Sequence, residues 1–101
     1  MIEKYRGDTF IFPFSFEDES IQFEVGDIVK FGIKEACDCE KCILHKEITV
    51  TENTKELKVV FEAEETKGVN PGEYITELEL TKKGIVETCY RDNLKVIGDI
   101  V

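Results

Sequence analysis

Thr9-Phe10-Ile11-Phe12-Pro13-Phe14-Ser15-Phe16 is the stretch whose reading decides the fold class. Its phenylalanines take every second position. In an extended strand successive side chains point to opposite faces, so all four rings land on one face. On a helix the same rings would spread around the cylinder. Pro13 has no N–H to give a ladder, so this strand belongs at a sheet edge or carries a bulge there.

The same alternation runs down the chain. Val29, Phe31 and Ile33 alternate with Lys30, Gly32 and Lys34. Leu44, Lys46, Ile48 and Val50 share one face, which sets Ile43, His45, Glu47 and Thr49 on the other. Leu57, Val59 and Phe61 form a further set, as do Tyr74, Thr76, Leu78 and Leu80. Two short runs, Ile85 to Tyr90 and Leu94 to Val101, close the sequence.

Turn chemistry separates these segments. Val25-Gly26-Asp27, Asn53-Thr54-Lys55, Asn70-Pro71-Gly72, Lys82-Lys83-Gly84 and Arg91-Asp92-Asn93 all read as turns, because Gly and Asn tolerate positive φ and Pro presets it. Lys83-Gly84 suits a short hairpin with the glycine in the left-handed region. Ala63 to Lys67 is the one helix-like piece, about one turn long, and fits a crossover connection. About seven short strands with turns at intervals of roughly 8–12 residues predict an all-β chain, a β-sandwich or a small barrel. No linker interrupts residues 1–101, which read as a single domain.

Composition narrows the function classes. The chain has 101 residues, 13 Lys and Arg against 22 Asp and Glu, and a net charge of −9. A balance this acidic argues against nucleic acid and against anionic membrane as partners, since both need clustered cations. No apolar run approaches the roughly 20 residues of a membrane-spanning helix. The first eight residues hold no apolar signal segment, so synthesis in a cytoplasm is expected.

The conspicuous chemistry is Cys37-Asp38-Cys39-Glu40-Lys41-Cys42 with His45 beyond it. Three thiols and an imidazole are a tetrahedral zinc set, and a metal module built on Cys37, Cys39, Cys42 and His45 is the alternative reading. Against it, all four donors come from one loop and one strand start, whereas zinc ribbons draw a second pair from a distant segment. Strand parity also turns His45 to solvent. The favoured expectation is therefore a polar hairpin loop with no cofactor. Cys39 and Cys42 make a C-x-x-C without the following helix that redox dithiols use. Cys89 reads as a small buried hydrophobe, and reduced thiols are expected without a signal segment. Arg6-Gly7-Asp8 reads as a turn into the first strand. The runs at Glu17-Asp18-Glu19 and Glu62 to Glu65 lack calcium-loop spacing and read as wet surface. With a single histidine and no nucleophile elbow or phosphate loop, no catalytic residue is assigned and an enzyme is not expected.

The order of motifs is itself informative. Gly7-Asp8-Thr9 opens the alternating aromatics, and Gly26-Asp27 leads into Val29 to Lys34. Lys46-Glu47-Ile48 follows, then Asn70-Pro71-Gly72-Glu73-Tyr74 leading into Glu77 to Leu80. Gly84 to Thr88 and a terminal Gly98-Asp99-Ile100-Val101 complete it. This order resembles the N-terminal domain family of baseplate upper proteins of tailed phages that infect Gram-positive bacteria. The resemblance spans nearly the whole chain and rests on turn glycines and strand alternation. It implies an immunoglobulin-like antiparallel β-sandwich of about seven strands. It implies a non-enzymatic structural or adaptor role in a phage or prophage tail. The expected partners are other tail proteins or further copies of the chain, with the virion tail as a destination. No receptor-binding extension follows the domain, which favours an adaptor over direct adsorption. The cysteine loop falls outside the family's pattern. The expected contact patches are outward apolar rows, Ile11 with Pro13 or Ile43 with His45.

Overall fold

The computed structural model describes residues 2–35 and 42–98. They form β1 (Ile2–Tyr5), β2 (Phe10–Ser15), β3 (Ile28–Glu35), β4 (Cys42–Thr49), β5 (Glu56–Phe61), α1 (Ala63–Thr66), β6 (Gly72–Lys82) and β7 (Ile85–Ile97). Five strands make one sheet in the order β1-β7-β6-β3-β4, and β2 with β5 makes a second, two-stranded sheet. Every pairing is antiparallel except β1 with β7, which is parallel. The large sheet is therefore mixed, which corrects the expectation of a purely antiparallel fold.

The phenylalanine strand supplies the contact between sheets. Phe10 and Phe12 are buried, Phe14 and Phe16 half-buried, and Ile11, Pro13 and Ser15 point outward. Phe12 meets Phe31 of β3 at 4.7 Å between ring centroids, and Phe31 meets Phe61 of β5 at 6.0 Å. These rings join Val29, Ile33, Val59, Leu94 and others in one core cluster. Burial of such apolar area is the main force holding the two sheets together. Pro13 sits in a two-stranded sheet, where each strand has a free edge to absorb its missing donor.

Three polar groups are buried with the core, Asp27, Thr66 and Thr76. Each has partners, as burial demands. Lys82 Nζ reaches Asp27 Oδ2 at 2.8 Å, and Thr76 Oγ1 donates to the Asp92 carbonyl at 3.0 Å. Thr66 Oγ1 donates to the Asp8 carbonyl at 2.7 Å and accepts from the Gly7 N–H at 3.1 Å. That side chain fastens α1 to the Arg6–Asp8 turn, where Gly7 holds a φ of 89°.

The β6–β7 hairpin turns on Lys83 and Gly84, at φ 51° and 80°. Both central residues are in the left-handed region, the twist-matched geometry for a two-residue connection. Beyond it, Arg91-Asp92-Asn93 is not a turn. These residues lie inside β7 and pair with Glu77, Thr76 and Ile75 of β6. The two runs join into one strand of 13 residues, Ile85–Ile97, and Asp99 to Val101 of the second run lie outside the described residues. Leu78 pairs with Tyr90 and Glu79 with Thr88, so Cys89 is an extra residue at a bulge. Among the described residues no helix is long and apolar enough to cross a membrane.

Candidate functional site

A two-stranded sheet is narrower than a five-stranded one. At about 4.8 Å per strand it spans roughly 10 Å against roughly 24 Å. The large sheet curls, yet its inner face stays partly open on the two flanks. These flanks and the outer face carry the candidate surfaces.

On the hairpin flank, a groove of about 330 Å³ opens between the end of β2 and β7. Phe14, Phe16, Phe23, Leu80, Cys89 and Tyr90 line it. The bulge turns Cys89 and Tyr90 into this space together. Phe14 and Tyr90 meet edge to face at 5.0 Å across its floor. Cys89 is exposed, which corrects its assignment as a buried hydrophobe. Partial burial, and then the Glu87 carboxylate beside it, push the thiol above its ordinary value. It is therefore protonated at neutral pH and a weak nucleophile.

On the opposite flank, a smaller pocket of about 230 Å³ lies among Leu44, Glu65, Val69 and Tyr74. Lys46 Nζ pairs with Glu65 Oε1 at 2.9 Å there. That ammonium, with the Glu62 backbone N–H, holds the Glu65 carboxyl below its ordinary value. The Tyr74 hydroxyl donates to the Asn70 carbonyl where the chain turns into β6.

The outer face of the large sheet bears a shallow depression of about 620 Å³ centred on Gly32. A Cβ on Gly32 would come within 2.7 Å of Cys42 Sγ, so the missing side chain makes the floor. His45 stands opposite Gly32 on β4 and Glu77 opposite it on β6. Lys34 approaches Glu77 at 3.2 Å and Arg91 approaches it at 3.6 Å. Glu77 and Glu79 of β6 are thus half-buried, and Glu77 is paired.

Of the four candidate metal donors, Cys42 and His45 are exposed and border this one depression. Cys37 and Cys39 lie outside the described residues. Among the described residues no three His, Cys, Asp or Glu side chains converge on a point that would hold a metal. The two expected contact patches are exposed on different sheets. Ile11 is paired with Val60 and Pro13 with Lys58 on the small sheet, and Ile43 and His45 lie on β4. The hairpin groove was missed by sequence reasoning. Its signal was the shift in phase of the apolar positions across Cys89.

Compared with known protein families, curated proteins and solved structures, the chain matches none.

Proposed function

We propose that this chain is a non-enzymatic adaptor of a phage or prophage tail, associated with the baseplate and acting through protein–protein contacts. The observation that carries the reading is where its open surfaces fall. They are strand edges and an apolar side groove on an all-β body, the features that β-sandwich interaction modules use. The phage assignment comes from the order of sequence motifs.

The finer fold assignment is an immunoglobulin-like sandwich. Two details support it. A first strand pairs in parallel with the last, on the sheet that carries β6 and β3. Tyr74 bonds back to the corner that precedes its strand, the arrangement known as a tyrosine corner in such domains.

Mass spectrometry of purified particles from the source phage or induced prophage tests the role. The chain is expected among the tail proteins, in fixed ratio to them. Its absence from tails and from tail-assembly intermediates would refute the reading.

A second reading, a small metal module, rests on Cys42 and His45 bordering the same depression. Metal analysis of untagged protein decides it. A stoichiometric metal content that falls in Cys42→Ser and His45→Ala would establish that module, and a metal-free protein would dismiss it.

A further inference from the structure

β7 has 13 residues, and β1 covers only its last four, from Leu94 to Ile97. Among the described residues, the edge from Ile85 to Asn93 has β6 on one side and no strand on the other. That edge is roughly 30 Å of backbone that faces no strand on its outer side, although the Asn93 N–H donates to Asp92 Oδ1 and the Glu87 carbonyl accepts from Cys89 Sγ. It runs beside the groove of Phe14, Phe16, Cys89 and Tyr90. Ile85 and Val86, at 65% and 56% exposure, are among the most exposed large apolar side chains of the described chain.

We infer that this edge is a strand-addition site, and that its occupant is an extended segment of a partner protein with alternating apolar and basic residues. The added strand would lie in line with β1 and continue the large sheet along Ile85 to Asn93. Its backbone would pair with β7. Its inward side chains would enter the groove and cover Phe14, Phe16 and Tyr90. Alternate side chains point the same way along a strand, so one row fills the groove while the rest meets the rim.

Charge selects the occupant. Glu17 lines the groove, next to Asp18 and Glu19, and on β7 the Glu87 carboxylate lies near Cys89; all four acids are exposed. A second copy would bring the same acids and a further net charge of −9 to the same place. Like charges brought together oppose self-pairing, and basic side chains on the incoming strand relieve them.

The inference rests on the adaptor reading, but its test is separate from particle composition. The probe is a capped synthetic peptide of alternating Lys and Val, titrated into the isotopically labelled full chain and followed by NMR. Expected are saturable shifts confined to Ile85–Asn93 and the groove, with slowed hydrogen exchange at alternate amides on each side of the Cys89 bulge. A peptide of the same charge with Pro replacing alternate Val is expected not to bind, because it cannot form a strand. The double substitution Glu17→Lys with Glu87→Lys is expected to weaken the Lys-Val peptide about tenfold, the effect of roughly 1.4 kcal/mol. Equal binding of the Pro peptide, shifts centred on the β4 edge, or no saturation would overturn the inference. So would a dimer formed through this edge without peptide. Loss of peptide binding alone leaves the tail role standing. Absence from particles alone leaves the edge standing.

Discussion

Thr66→Val tests how the N-terminal strand is held. Valine keeps the shape of threonine and removes only the hydroxyl. In the native chain that hydroxyl is fully buried and donates to the Asp8 carbonyl while accepting from the Gly7 N–H. Valine leaves both backbone groups without their partner. Each orphaned group costs about 1–3 kcal/mol, and partial solvent access at this turn favours the lower end, about 1–1.5 kcal/mol each. The expected loss is about 2–3 kcal/mol, a large share of the roughly 5–15 kcal/mol of a domain this size. The melting temperature should fall by about 10–20 °C. Thr66→Ser keeps both hydrogen bonds and loses one methyl, at about 1 kcal/mol. Urea denaturation of the two variants measures the difference. Hydrogen exchange should also quicken at Ile2–Tyr5 in the valine variant, because the turn that delivers β1 to β7 is loosened. A valine variant within about 0.5 kcal/mol of wild type, or a serine variant weaker than valine, would refute the reasoning.

Three other outcomes are expected. Phe31→Ala removes the ring that touches Phe12, Phe14 and Phe61 and should cost about 3–5 kcal/mol in urea unfolding. Tyr74→Phe deletes the hydroxyl donated to Asn70 and should cost about 1 kcal/mol, read as a lowered urea midpoint without a changed slope. Glu65 is held below its ordinary value of 4.5 by Lys46 first and the Glu62 N–H second. Its folded form therefore stabilises fully above that value, and the contribution fades as pH falls through the lower folded value. Lys46→Gln should flatten the acid limb of the melting curve against pH, and an unchanged limb would count against the pair.

Much of the sheet pattern was legible because alternation is a local signal. Phe10 to Phe16, Val29 to Ile33 and Tyr74 to Leu80 each place every second residue, beginning with the first, on the inward face, as their spacing demands. The Lys83-Gly84 hairpin and the single turn of α1 followed from backbone preference in the same way. What the sequence hid is non-local or out of phase. β1 is only Ile-Glu-Lys-Tyr, and its partner lies 92 positions later, so no neighbouring residue announces the pairing. β7 was hidden by its own bulge. Ile85 and Glu87 pair with the inward row of β6 before Cys89, whereas Tyr90, Leu94 and Val96 turn inward after it. One extra residue moved the apolar positions from odd to even, and a single strand read as two runs with a polar turn between. The candidate surfaces were less legible than the strands. Exposure of Ile11 and His45 followed from parity. The hairpin groove depends on how far a narrow sheet covers a wide one, which no local pattern records.

The parallel pairing of β1 with β7 also has a mechanical meaning. Ile2 lies beside Leu94 and Tyr5 beside Ile97, so the chain enters this ladder at one end and leaves it at the other. A pull on the two ends of the domain runs along both strands in opposite directions. The connecting hydrogen bonds then carry the force together, as in a lap joint, and do not open in succession as in a zip. For a subunit strung between two others under tension, the short first strand acts as a clasp, and the Thr66 hydroxyl helps to keep it closed.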